Sequence, residues 1–250
     1  MISVRMYFQT GMIKVRSPDS IYQARGDIEH GAFYGRWHFS FGGYYDPEYM
    51  QFGPLRVFND DTLSPGAVWP LHYHEEIEVV TYCAEGVFRH ADQHGEGGLL
   101  RKGWVQHTTV GSGMYHSEIN ASQTEPMRFI QMWFLPAKPG LKPSTEQKTV
   151  GPEERADRLL PLISNSVRGA LRICQDVAVF SSHLSNGRSV THMGRSGRGA
   201  YLYVLQGGPV VLNGRTRVPA LGAAMIPAEP ELTIQAQGDS AEILLVDVPL

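Results

Sequence analysis

The sequence predicts a nearly all-β protein made of two barrel-like or sandwich-like parts, on three grounds. Short runs rich in β-branched and aromatic residues recur along the chain, among them LRVFND, IEVVTY, RFIQMWFL, AYLYVLQG and AEILLVDV. Runs of this length between turn signals read as strands, and many at regular spacing indicate a sandwich or barrel. Glycine (27) and proline (16) separate the runs, and Asn186-Gly187 and Asn213-Gly214 are dipeptides that type I′ hairpins favour. The third ground is a break: residues 136–154 hold four prolines, three lysines and no apolar periodicity, the composition of a linker. The expected units are 1–138, a linker at 139–152, and 153–250. A helix is expected chiefly in PEERADRLLPLIS, residues 152–164.

Composition narrows the function classes. The 250 residues carry 22 Lys+Arg against 25 Asp+Glu, a formal charge of −3, with no basic block, so direct nucleic-acid binding is not expected. No run approaches the ~18 consecutive apolar residues of a membrane span. The stretch MISVRMYFQTGMIKVRS offers no secretory apolar core, and two cysteines, Cys83 and Cys174, are too few to staple the fold. Reduced thiols and a cytoplasmic location are the expectation.

Eight of ten histidines lie at or before position 116, so a metal centre belongs in the first part. In Gly66-AVWPL-His72-Tyr-His74-EEI-Glu78, strand alternation points His72 and His74 to one face, with Glu76 and Glu78 following on it. Two imidazoles about 7 Å apart along a strand can share an ion if other strands complete the shell. His116 and Glu118 repeat the period-2 spacing. Together these would supply three neutral nitrogens and a carboxylate oxygen, a set that suits Fe(II), Ni, Mn, Co or Zn without choosing among them. By the same parity Cys83 falls opposite the ligands.

The pattern resembles the two cupin motifs. Gly66, His72, His74 and Glu78 fit the first, with Gly86 one residue late, and Gly113, His116 and Asn120 fit the second, with Gly111 where proline is usual. The stretches Trp37–Pro47, Phe52–Asp60, Glu78–His90, Gly111–Ser122 and Gln131–Pro136 are similar to segments of the pirin family of bicupins, a resemblance that runs from about residue 14 to 150.

That resemblance implies two stacked cupin jelly-roll barrels with metal only in the first, held by His72, His74, His116 and Glu118, and it favours Fe(II). It also implies a quercetin dioxygenase: opening of a flavonol ring by O2 with release of carbon monoxide. Glu118 would be ligand and base for the flavonol hydroxyl. Glu78 would be a second candidate base, or would hydrogen-bond a ligand histidine. Phe39, Phe41, Tyr44, Tyr45 and Phe52 would line an apolar cavity or simply pack. Tyr73 and Glu75-Glu76 depart from the family's usual residues and would make the mouth bulkier and more acidic. The alternatives are a metal-bearing, redox-responsive regulator acting through protein partners, and a cupin whose metal serves stability alone. In the second part, His192 reads as a surface or packing residue, and Arg188, Arg195 and Arg198 as a solvated loop.

Overall fold

The computed structural model describes residues 12–250 except 93, 95 and 96. The stretch 1–11, most of the segment in which no secretory core is expected, lies outside the described residues. The chain runs through β1 (Lys14–Arg16), β2 (Tyr22–Ile28), β3 (Gly31–Trp37), β4 (Leu55–Leu63), β5 (Val68–His74) and β6 (Glu78–Glu85). It continues with β7 (Val87–Asp92), β8 (Leu99–Arg101), β9 (Val105–Thr109), β10 (Met114–Asn120), β11 (Met127–Phe134) and β12 (Ser144–Lys148). Then follow β13 (Leu160–Ser164), β14 (Ala178–Ser185), β15 (Ser189–Met193), β16 (Arg198–Gly207) and β17 (Val210–Leu212). The last four are β18 (Thr216–Val218), β19 (Ala223–Ile226), β20 (Glu231–Ala236) and β21 (Ser240–Pro249).

Four sheets form two jelly rolls. A seven-stranded sheet, β12-β9-β6-β11-β4-β3-β2, faces the four-stranded β5-β10-β7-β8. In the second barrel the six-stranded β1-β19-β16-β21-β14-β13 faces β15-β20-β17-β18. Each large sheet turns its outer side to the other. One apolar core therefore joins Phe58, Val80, Tyr82, Ile130 and Met132 to Val179, Tyr201, Tyr203, Leu244 and Val246. The first barrel's interior holds Cys83, Phe88, Leu100, Met127 and Phe129, and the second's holds Val190, Leu202, Leu232, Ile234 and Leu245. Strands β6, β11, β16 and β21 are thus covered on both faces. This is why they read as nearly unbroken apolar runs instead of alternating ones.

Several expectations are corrected here. The described residues contain no α-helix: where one was expected, a 3₁₀ turn at Pro152–Glu154 leads to β13. Pro161 lies inside that segment, and Leu162 and Ile163 are both buried in the core shared by the barrels. The stretch read as a linker is also structured. Its strand β12 pairs with β9 from Ser144↔Thr109 to Lys148↔Val105, and Val150 is buried in the shared core. Strand β1, from the first part, pairs with β19, so the second barrel's large sheet has at one edge a strand from the other part of the chain. Asn213 and Gly214 both adopt positive φ, as a type I′ turn requires, but at Asn186-Gly187 only the glycine does. Among the described residues no helix is long and apolar enough to cross a membrane.

Polar side chains lock the barrels across the apolar core. Tyr203 donates to Asp60 at 2.5 Å, Tyr82 to Glu242 at 2.6 Å, and His38 Nδ1 lies 2.7 Å from the Tyr201 hydroxyl. Asp60 also receives a two-pronged hydrogen bond from Arg128, both arms 2.7 Å. Removing one member of a buried ion pair strands the other charge, at about 3–5 kcal/mol. Asp60→Ala should therefore lower the free energy of urea unfolding by about that amount. A loss within the scatter of surface substitutions would show that the lock does not hold the barrels.

Candidate metal centre

His72 and His74 share the inner face of β5, and His116 reaches the same space from β10, where it pairs directly opposite His72, with Met114 opposite His74. One ring nitrogen from each of the three lies within 4.8 Å of the other two. His72 Nε2 and His116 Nε2 are 3.0 Å apart, and the three rings stand 4.5–5.1 Å apart between centroids. Adjacent donors on one ion, with bonds of about 2.1 Å, are separated by about 3 Å.

The electrostatics suit a cation. Burial, aided by the neighbouring His72, lowers the His74 pKa to about 4. Burial and the surrounding histidines bring His116 to about 2. Both rings are therefore neutral at pH 7 and offer lone pairs. His74 Nε2 is buried without a hydrogen-bond partner, an orphaned acceptor or donor that a bound ion would satisfy. The donor set fits a divalent transition metal.

Glu118 is fully buried on the same strand but stands outside this tight group of nitrogens. The β5–β10 register shifts between His116 and Glu118, so Glu118 faces Trp69 and not Pro70. A proline cannot donate to the ladder, and a bulge is where a sheet tolerates it. Glu118 Oε1 accepts a hydrogen bond from Gln131 Nε2, and Gln131 Oε1 in turn accepts from Trp133 Nε1 at 2.6 Å. Burial raises the Glu118 pKa, while the nearby His72 and the Gln131 hydrogen bond pull it down. Trp133 also packs its ring 4.6 Å from His74, and Phe41 stands edge-on to Trp133 at 5.2 Å. Phe41 is thus the member of the expected aromatic set that reaches the site. Phe39 and Phe52 belong to the core between barrels, Tyr44 stacks on Tyr22, and Tyr45 is exposed.

Glu78 is a correction. The strand does not run through from His74: Glu76 takes a positive φ of 51°, and Glu78 opens β6 on the face shared with Val80 and Tyr82, toward the second barrel. Its carboxylate accepts the backbone N–H groups of Cys174 and Gln175 at 2.7 and 2.9 Å and lies 3.4 Å from His107 Nε2. Burial alone would raise its pKa, but His107 and the two amides hold it below the usual carboxylate value. It ties the barrels together and is no base for this site. The same break inverts the Cys83 expectation. Cys83 faces the first barrel's interior, yet its thiol turns to the Glu85 and Gly86 carbonyls, and burial pushes its pKa up to about 11.

The mouth is less altered than expected. Tyr73 alternates outward from the histidines, its hydroxyl donating to Glu75 at 3.1 Å, against Gly113, where a Cβ would lie 2.1 Å from that oxygen. Glu76 accepts the Gly140 N–H at 3.1 Å. Both acidic side chains are engaged away from the histidines.

Sequence reasoning missed Gln131 and Trp133, and it missed His90, whose Nε2 lies 3.1 Å from His116 Nδ1. His90 sits on β7 opposite Glu118, and a cross-strand partner leaves no local mark in sequence. Beside it, a cavity of about 400 Å³ is bordered by His90, Asp92, Met114, Thr145 and Gln147. In the second barrel His192 Nε2 is held 2.7 Å from Asp247, a packing role. Arg188 and Arg195 are exposed, but Arg198 is 8% exposed and paired with Asp247 and Asp176, which corrects its reading as a solvated loop residue.

Comparison with known proteins agrees with this architecture. The Pirin family model matches residues 21–134, and the quercetinase C-terminal cupin domain matches 162–248. A protein of Escherichia coli K12 named quercetin 2,3-dioxygenase is 34% identical over 226 residues, 90% of this chain and 95% of that protein. A pirin-like protein of Caulobacter vibrioides is 37% identical over 224 residues, 89% of this chain and 95% of that one. The solved structure of the E. coli bacterial pirin YhhW in complex with nickel(II) superposes with a TM-score of 0.86 at 31% identity, covering 95% of this chain and 99% of that one. Sequence match, domain order and three-dimensional likeness agree along nearly the whole chain, which therefore belongs to the pirin family of two-barrel cupins.

Proposed function

We propose that this chain is a metal-dependent dioxygenase that opens quercetin-type flavonols with O2 and releases carbon monoxide. Iron(II) is the proposed metal, held by His72, His74, His116 and Glu118. The observation that carries the proposal is the convergence of three imidazoles within 4.8 Å inside the first barrel of a chain whose relatives include one named quercetin 2,3-dioxygenase. Nickel, manganese, cobalt and zinc suit the same donors, and the related YhhW structure contains nickel(II).

When bound, such an ion supplies Lewis acidity that lowers the pKa of a chelating hydroxyl and open positions at which oxygens can be held. The protein's own groups supply the rest. Glu118 keeps one oxygen on Gln131, and the other is the proposed fourth donor. The same carboxylate, whose pKa burial raises, is the proposed acceptor of the flavonol proton. Trp133 and Phe41 wall the His74 side with aromatic surface and limit the water that could divert an electron-rich anion. The cavity of about 400 Å³ beside His90 and Met114 lies in the range of small-molecule sites, roughly 300–1,000 Å³. It is the proposed space for the planar guest.

Protein loaded with Fe(II) should bleach the visible absorbance of quercetin in air, with matched oxygen uptake and carbon monoxide release. His74→Ala should lose both bound metal and turnover. A fully loaded protein that leaves quercetin intact would overturn the substrate assignment. The lowered pKa values also set a pH dependence for the metal-free chain. Between about pH 6.5, where an unfolded histidine titrates, and the folded value of about 4 for His74, the unfolded state binds more protons. Stability should therefore fall as pH drops through that window, and His74→Ala should flatten the fall in urea titrations at pH 7, 5.5 and 4.5.

A further inference from the structure

A neutral imidazole has one donor and one acceptor nitrogen, so each ring of the cluster can be assigned from its neighbours. His72 Nδ1 lies 2.8 Å from the Pro70 carbonyl oxygen. A carbonyl only accepts, so the His72 proton sits on Nδ1 and its Nε2 carries the lone pair. His116 turns Nε2 toward His72, at 3.0 Å, and Nδ1 toward His90 Nε2, at 3.1 Å. His116 can offer Nε2 to an ion only when its proton is on Nδ1, which requires His90 Nε2 to accept. In the opposite assignment His90 donates, the His116 proton moves to Nε2, and that nitrogen is closed to a metal.

We propose that His90 is the positioning residue of the metal centre: its Nε2 accepts the His116 Nδ1–H and so fixes both the tautomer and the orientation of that ligand. This rests on the metal reading above, but not on the substrate. Three observations support it. The pairing of β7 with β10 places His90 opposite Glu118, so its ring reaches the neighbouring inward position and stands 5.1 Å from the His116 ring between centroids. His90 is 3% exposed, and its remaining nitrogen, Nδ1, is buried without a partner. That is a penalty a purely packing residue such as leucine would avoid. Finally, the three candidate ligands are held in three different ways: His72 by the Pro70 carbonyl, His74 by its edge-type contact with the Trp133 ring, and His116 by His90. His90 is the one support that could select between a ligating and a non-ligating tautomer. It also borders the cavity proposed for the substrate, so a guest there would touch the group that orients a ligand.

Outer hydrogen-bond partners of metal ligands typically govern about 10–100-fold in affinity. Nickel(II) affinity of the full chain, measured without substrate by competition against a chelator, should drop by about that factor in His90→Leu. His90→Gln, whose amide oxygen can take the place of Nε2, should recover most of it. The ligand-field spectrum of bound nickel should change in the leucine variant and return toward wild type in the glutamine variant, while metal-free melting temperatures do not follow that order. If His90→Leu fails to fold, His90→Asn, too short to reach His116, should show the same loss. Wild-type affinity in the leucine or asparagine variant overturns the inference. A wild-type chain that takes up no nickel overturns the metal reading itself, and the inference with it.

Discussion

The back-to-back packing of the two large sheets is the constraint on which the rest of this molecule depends. Because β6 and β11 are covered on both sides, strand parity distributes each residue either into the first barrel or into the seam with the second. On β11, Phe129, Gln131 and Trp133 go inward, and Ile130 and Met132 go to the seam. On β6, Cys83 goes inward, while Val80, Tyr82 and Glu78 go to the seam. A one-residue slip of β11 would exchange Trp133 and Gln131, the hydrogen-bond chain that ends on Glu118, for apolar side chains. The seam thus does more than join two domains. It fixes the register that aims Gln131 and Trp133 at the histidines.

Inside that frame the site is built at some expense to the apoprotein. Two ring nitrogens, His74 Nε2 and His90 Nδ1, are buried without partners, and burial keeps His74 and His116 from taking the protons they would accept in water. Native interiors rarely leave such groups unmet, and where they do a functional reason is the usual one. Desolvation and ligation act in the same direction here. The environment that penalises an imidazolium leaves a free lone pair, so the site is prepared for a cation without an acidic cluster at its centre.

The parts of this design that are local in sequence were legible, and those that depend on long-range pairing were not. His72 and His74 on one face, and His116 on another strand, follow from a period of two. The all-β character and the division into two barrels follow from run length and turns. Glu78 failed because parity arguments hold only while the strand continues, and the positive φ at Glu76 ends it. The strand within 139–152 was not legible because STEQK is a polar run between Pro143 and Pro152, which looks like a linker until a neighbour such as β9 is known. The exposed Glu146 and the terminal Lys148 suit an edge, since charge there discourages further pairing. Arg198 failed because its charge signals solvent unless the buried Asp247 facing it is also known.

The second barrel shows what the same scaffold becomes without the histidine cluster. Strands β15 and β20 occupy in it the place that β5 and β10 hold in the first, each pair forming one edge of the small sheet. Where His72 stands opposite His116, the inward pairs in the second barrel are His192 opposite Leu232 and Val190 opposite Ile234. Val190, Leu232 and Ile234 are packed into a continuous apolar core. His192 is drawn aside to Asp247, which also binds Arg198, so the charge at that end of the barrel is supplied by a guanidinium of the chain itself. An interior filled in this way gains hydrophobic stabilisation of about 25 cal/mol for each Å² withdrawn from water, which the hollow first barrel forgoes around its histidines. With Tyr82, Tyr201 and Tyr203 bonded across the seam, the filled barrel stiffens the open one. A barrel so supported can keep unpartnered nitrogens and a cavity without collapsing onto them.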